Sequence, residues 1–337
     1  MPPSLTIIDA ILLGLIEGIT EFLPVSSTGH LVLLASMLGL DEPEHVRHAT
    51  DDLLIVIQGG AILAVLGLYW GSVVRMCKGL AGKDRDGLRL ARNIIIAFLP
   101  AAILGPLLDD TITRHLMRPW PVLGALLVGG IVMVAMRRPK SDIDAGTGQK
   151  TSTVRSGITL TIRAALFIGL LQCLAMWPGT SRSMVTIVGA MLVGLSAARA
   201  AEFSFLLGLP TLGGACVYKL AGNLSGEGPN MFEVLGIVPI IIGTLVAMIA
   251  AAVAIKWLVH FLNRHGLAVF GWYRIALAAV LAALVFTDVV RISPDATAEP
   301  GLDVTQSAMV EHASGYHRTE RPMPSPAPTA PPTTPAR

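Results

Sequence analysis

Charge is scarce in this chain. Of its 337 residues 14% are charged and 53% are hydrophobic, whereas soluble domains carry charge on about a quarter of their residues. The deficit excludes an ordinary soluble domain, and no nucleic-acid partner is expected. The net charge of +2 says little, because the distribution of charge matters and its sum does not. Cysteine is almost absent as well. Cys77, Cys173 and Cys216 stand alone in apolar or small-residue surroundings, which excludes a disulfide framework and a cysteine metal cluster; the expected role is that of small buried hydrophobes. His45, His48, His115, His260, His265, His312 and His317 lie in loops, near helix ends or in the C-terminal stretch, without metal-ligand spacing. The opening "MPPSLTIIDAILLGLIEG" lacks a basic leader and carries acids within its apolar run, so it is expected to belong to the mature protein.

What the chain has in quantity is apolar sequence. A helix that crosses a membrane needs roughly 20 mainly apolar residues, and stretches of that kind run over 52–71, 91–108, 119–136, 201–220, 233–256 and 267–289. Two further apolar regions, 5–39 and 156–195, are interrupted near their middles, at Pro24 and at Pro178-Gly179. Proline removes a helix donor and clashes with the preceding turn, while Ser and Thr cap a new helix start. Each region is predicted to be two half-helices joined by a break.

The order of broken pair, then three helices, occurs twice. Aligning "GLIEGITEFLPVSS" with "GLLQCLAMW-PGTS" sets Gly14 on Gly169, Glu17 on Gln172, Phe22 on Trp177, Pro24 on Pro178 and Ser27 on Ser181, with one gap. Loop charges test the repeat independently. The loop after 71 carries Arg75, Lys78, Lys83, Arg85, Arg89 and Arg92, and the loop after 136 carries Arg137, Arg138, Lys140, Lys150 and Arg155. Both are cytoplasmic by the positive-inside rule. The acidic segment 41–52, with Asp41, Glu42, Glu44, Asp51 and Asp52, then falls outside, as does "SGEGPNMFE"; Arg199, Lys256 and Arg264 fall inside. These assignments suit an inverted second repeat. The expected architecture is therefore all-α and polytopic over 1–291, with repeats at about 5–136 and 156–291, six transmembrane helices and two re-entrant broken pairs. Residues 292–337, ending "MPSPAPTAPPTTPAR", lack apolar bulk and are expected to be a disordered extracytoplasmic tail.

The breaks carry the chemistry. Glu17 and Glu21 are spaced i, i+4 on one helix face, and each costs about 2.5–3.5 kcal/mol at membrane depth. They also approach the negative end of a half-helix dipole. Either the pair shares a proton or a cation compensates it. Beyond Pro24, Ser26, Ser27 and Thr28 open a half-helix whose positive N-terminus presents free amides, an anion site. His30 follows one turn later, within reach of the Ser27 hydroxyl. In the second break Gly179 allows close backbone approach, Thr180, Ser181 and Ser183 supply hydroxyls, and Arg182 supplies a forked charge that wants a phosphate or carboxylate.

Two inverted breaks should meet near the midplane, as in transporters built from inverted repeats. The combined set suits a metal-bound polyphosphate, with carboxylates on the cation and Arg plus amides on the phosphoryl oxygens. Taken singly, the residues admit plainer readings. A Ser-x-x-His can be helix packing, a Glu pair can serve proton-coupled transport, and Arg182 can pair with a Glu for structure. Arg274, near the start of the last span, is expected to snorkel to the interface.

The motifs "EGITEFLPVSSTGH" and "PGTSRSMVT", with the blocks "DDLLIVIQGGAILAVL" and "AARAAEFSFLLGLP", make the chain resemble the integral-membrane undecaprenyl-diphosphate phosphatase family of the bacitracin-resistance type. The resemblance covers about 5–290; Met184 stands where Gly is frequent, and Met176 stands in the place of Glu21 in the second repeat. It implies hydrolysis of undecaprenyl diphosphate to the monophosphate in the bacterial plasma membrane, recycling the lipid carrier of cell-wall synthesis, with Mg²⁺ or Ca²⁺. Membrane lipids and a homo-oligomer are compatible partners, and the site is expected to open outside. Carried over, Glu17 and Glu21 become the metal or acid/base carboxylates, and Ser27 with His30 the nucleophilic or water-activating pair. Arg182 with Ser181, Ser183 and Thr186 would hold the diphosphate. A lipid-phosphate flippase using the same anion site is the competing reading.

Overall fold

The computed structural model describes residues 5–40, 44–116, 118–136, 160–226 and 230–286. The predicted tail at 292–337 and the basic loop 137–155 lie outside these residues. The described residues form twelve α-helices and no strand.

The first repeat comprises α1 (Ile7–Thr20), α2 (Ser27–Met37), α3 (Glu44–Leu68), α4 (Trp70–Leu80), α5 (Arg85–Leu116) and α6 (Pro119–Ala135). The second comprises α7 (Ile162–Gln172), which runs into a 3-10 turn at Cys173–Met176, then α8 (Arg182–Leu192), α9 (Ala197–Ser225), α10 (Met231–Leu235), α11 (Ile237–His265) and α12 (Ala268–Phe286). Both apolar regions are broken where Pro and hydroxyl residues interrupt them. Thr6 caps α1 through a reciprocal pair with Asp9, and Thr161 caps α7, each satisfying backbone donors that a helix start leaves free.

Five helices are long and apolar enough to cross a membrane: His45–Leu68, Arg85–Leu108, Ala197–Ser225, Ile237–His265 and Ala268–Phe286. The chain is a multi-pass membrane protein. The sixth expected span, α6, is an apolar helix of 17 residues. Side chains such as Leu107, Val128, Ile249 and Val253 stand exposed, the outward apolar surface that lipid solvates.

Three boundaries differ from the sequence reading. The basic segment after 71 is not a loop but helix α4, a turn at 81–84 and the start of α5. The acidic stretch is helical from Glu44, so Asp51 and Asp52 belong to α3. The expected span at 233–256 begins at Ile237, after a positive-φ Gly236, and carries Lys256 and Arg264 within α11. The cysteines are not buried: Cys77 is exposed, and Cys173 and Cys216 are half-buried.

The two repeats interlock. α1 packs along α11 as α7 packs along α5, while the counterpart helices α3 and α9, and α6 and α12, pack on each other. Such pairing of counterpart helices is what an internal repeat is expected to give. Its contacts depend on small residues. A Cβ on Gly14 would collide with the carbonyl of Gly243, and one on Gly169 would lie 2.5 Å from the Ala97 oxygen. The repeat also runs without a gap. α2 and α8 have equal lengths of 11 residues and start 155 positions apart, as do their capping residues Ser26 and Ser181 and the positive-φ glycines that follow them, Gly39 and Gly194. The structural counterpart of Ser181 is thus Ser26 rather than Ser27, and Ser27 corresponds to Arg182.

Candidate active site at the meeting of two helix breaks

Each break turns at a strained serine. Ser26 (φ 76°) and Ser181 (φ 72°) are the only non-glycine residues with positive φ among the described residues, a conformation rare for L side chains and concentrated at functional sites. Each stands at the N-cap of its half-helix. The Ser181 hydroxyl accepts from the Met184 amide, whereas Ser26 makes no side-chain cap.

The breaks meet through Glu21 and Arg182. Arg182 Nη2 donates to Glu21 Oε1 at 2.9 Å, and both side chains are largely buried. Ser27 Oγ donates to the other oxygen, Oε2, at 2.7 Å. Ser183 Oγ crosses to the Leu23 carbonyl at 2.9 Å and lies 3.0 Å from Ser181 Oγ. Arg182 is further fixed by Nη1 on the Ser204 carbonyl (3.1 Å), with its guanidinium carbon 5.7 Å from the centre of the Phe22 ring, within the range of a cation–π contact. Gly208 makes room for it: a Cβ there would lie 3.0 Å from Nη1. Arg182 Nε is buried without a partner among the described residues.

Ser27 and His30 are not hydrogen-bonded to each other. One turn of α2 brings them to one face, but the Ser27 hydroxyl is taken by Glu21, while His30 Nδ1 lies 2.7 Å from the Ser26 carbonyl and Nε2 lies 2.7 Å from the Tyr273 hydroxyl. The carboxylate adjoining Ser27 is therefore that of Glu21. Thr28 is exposed. Thr186 is fully buried and bonded to the Arg182 carbonyl (2.8 Å) and Ser204 Oγ (2.6 Å), so it braces α8 against α9 and the diphosphate-holding role does not fit its place. Gly179 has φ 90°, and a Cβ on it would lie 2.6 Å from the Val122 carbonyl. Thr180 is buried beside it, its amide on the Trp177 carbonyl.

Glu17 is buried with neither carboxylate oxygen hydrogen-bonded among the described residues, and it feels the charges of Glu21 and Arg182. A buried carboxylate without a partner costs several kcal/mol. No group of three or more His, Cys, Asp or Glu suited to a metal occurs among the described residues. Two carboxylates are nonetheless what a Mg²⁺ site needs when substrate phosphates supply the remaining oxygens, so Glu17 and Glu21 fit such an ion. Gln172, the counterpart of Glu17, is likewise buried with both amide atoms unpartnered.

Several site-building residues escaped the sequence reading. Phe22, Ser204 and Gly208 cradle Arg182, and the block "AEFSFLLGLP" held two of them without a stated role. Arg274 does not snorkel. It is fully buried and donates through Nη2 to the carbonyls of Gly179 (2.7 Å) and Ala125 (3.0 Å), and through Nε to that of Leu126 (3.3 Å).

The family described as bacitracin resistance protein BacA matches residues 10–280. The undecaprenyl-diphosphatase of Sorangium cellulosum is 46% identical over 277 residues, covering 81% of this chain and 84% of that protein. Undecaprenyl-diphosphatase 2 of Rhodospirillum rubrum is 41% identical over 285 residues, covering 84% and 97%. The Deinococcus deserti undecaprenyl-diphosphatase is 38% identical over 283 residues, covering 83% and 96%. With the family match spanning both breaks and all but the ends of the described fold, this chain belongs to the bacitracin resistance protein BacA family.

Proposed function

We propose that the chain hydrolyses undecaprenyl diphosphate to undecaprenyl phosphate and inorganic phosphate in the bacterial plasma membrane. The observation that carries the reading is the Glu21 carboxylate shared between Arg182 and Ser27, which joins an anion-holding group to a hydroxyl and its base. The relatives' names support a hydrolase rather than a lipid carrier.

Phosphoryl transfer asks a protein for positioning and charge stabilisation more than for covalent chemistry. Arg182 keeps Nη2 on Glu21 and has Nε–H free for a phosphoryl oxygen. The amides at the starts of α2 and α8 face the same anion. Glu21 takes the proton released as the nucleophile adds to the terminal phosphorus. The nucleophile is water oriented by Ser27 or the Ser27 oxygen itself, which water then frees. The bond from that phosphorus to the bridging oxygen breaks, and the oxygen departs on the lipid monophosphate. Glu17 and Glu21 would hold Mg²⁺ or Ca²⁺, which supplies charge neutralisation for the diphosphate.

The test is phosphate release by the purified protein given C55 polyprenyl diphosphate in detergent. The expected result is one inorganic phosphate per lipid monophosphate formed. Recovery of only intact lipid diphosphate would favour the carrier.

For orientation, the basic segment 71–92 and the loop at 137–155 belong on the cytoplasmic side, with 41–52 outside. The α1–α2 pair then enters from outside, which supports a site opening there. Single cysteines at 83 and 44, in a background lacking the native three, should separate cleanly in intact cells. An impermeant thiol reagent should label position 44 and spare position 83; the reverse pattern would overturn the topology.

A further inference from the structure

We propose that α12 aligns the two half-sites through its consecutive residues Tyr273 and Arg274, with Tyr273 the positioning residue for His30; the proposal rests on the phosphatase reading.

A carbonyl oxygen can only accept, so the His30 imidazole nitrogen 2.7 Å from the Ser26 carbonyl, Nδ1, carries the hydrogen. In the neutral imidazole Nε2 is then the bare nitrogen, and the Tyr273 hydroxyl donates to it at 2.7 Å. The two rings lie within 8° of parallel. Both ring nitrogens are committed, so the tautomer and the orientation of the ring are set together. The next residue acts on the other break: Arg274 Nη2 holds the Gly179 carbonyl, while the same guanidinium is tied to α6 at Ala125 and Leu126. The slot is shaped for it. A Cβ on Gly129 would lie 2.6 Å from Arg274 Nη2, and one on Gly271 would lie 2.6 Å from the Gly130 carbonyl.

The carbonyls that receive these bonds are not arbitrary. They belong to Ser26 and Gly179, residues with positive φ in the first and second breaks. Such conformations persist only where the surroundings over-determine them. Tyr273, acting through His30, holds the first, and Arg274 holds the second directly. One helix turn thus spans both repeats and keeps Glu21, Ser27 and Arg182 in mutual register.

The experiment measures kcat and KM for phosphate release from C55 polyprenyl diphosphate. Tyr273→Phe removes one hydroxyl from a half-exposed side chain and should fold as the wild type does. It is expected to lower kcat about tenfold with KM changed by less than about twofold. In a His30→Gln background the same substitution should cost less than about twofold, because its route of action is already gone. Arg274→Lys, which cannot reach three carbonyls from one ammonium, should lower kcat at least about tenfold. A wild-type kcat in Tyr273→Phe, or equal losses in both backgrounds, overturns the proposal even if Arg274→Lys fails to fold. A second arm does not depend on turnover. In ¹⁵N-histidine spectra in lipid nanodiscs, with the His30 signals assigned by their loss in His30→Gln, Nε2 should be unprotonated and should shift in Tyr273→Phe. An inactive wild type would sink the phosphatase reading, and an unmoved Nε2 signal would sink the role of Tyr273.

Discussion

Arg182→Ala is expected to reduce phosphate release about a thousandfold, about 4 kcal/mol of transition-state stabilisation. The guanidinium binds Glu21, lies over the Phe22 ring and offers its free Nε to the site, so its removal takes away the positive charge and unseats the base next to Ser27. Arg182→Lys keeps the charge but loses the planar fork, and about a tenfold loss is expected. Ser27→Ala should be nearly inactive while still binding lipid diphosphate. The double variant Ser27→Ala/Arg182→Ala should fall well short of the combined single losses, because groups acting in one step are not additive. Strict additivity would mean two independent sites.

Stability must be read in parallel. Removing one partner of a buried ion pair strands the other at about 3–5 kcal/mol, and Arg182→Ala strands Glu21. Arg182→Met/Glu21→Gln removes both charges. It should recover thermal stability in detergent relative to Arg182→Met alone without recovering activity. Restored turnover in that double variant would show that the pair is structural.

Removal of divalent cations should also have a large effect. Protein stripped with chelator is expected to lose phosphate release by at least about a hundredfold and to recover it with Mg²⁺ or Ca²⁺. Both oxygens of Glu17 are buried and unpartnered among the described residues, and a divalent cation would supply the partner such a carboxylate needs. Glu17→Gln should raise the Mg²⁺ concentration for half-maximal rate by at least about tenfold. A readout without turnover separates binding from chemistry: added Mg²⁺ should raise the unfolding temperature of stripped wild type by mass action and leave Glu17→Gln nearly unmoved. Full activity in chelator would remove the metal and leave acid/base work to the two carboxylates.

The breaks, the half-helix starts and the repeat were legible in the sequence because each is a local property. Pro24 and Pro178-Gly179, each followed by hydroxyl residues, mark where one half-helix ends and the next begins, with Ser26 and Ser181 at the N-caps of the second halves, and the same motif recurs 155 positions on. Even here tertiary structure altered the register. The gap in the alignment is absent from the fold, because the positive-φ serines and glycines sit at equal spacing in both repeats, and backbone conformation at a serine cannot be read from its letter.

Composition and patterning alone determined that this chain is helical, membrane-spanning and built twice, with acids, hydroxyls and an arginine concentrated at two interruptions. Partner choice was decided by the tertiary structure. Ser27 and His30 are three residues apart, yet the serine bonds Glu21 and the histidine bonds Tyr273, 243 positions away in sequence. Arg274 reads as a charge near a membrane face and proves fully buried against the second break, because α6 and α12 close around it through glycines. Helix periodicity says which side chains share a face. Which acceptor lies opposite that face depends on helices brought together only by packing, and a hydrogen bond follows the acceptor it reaches rather than the nearest residue in the chain.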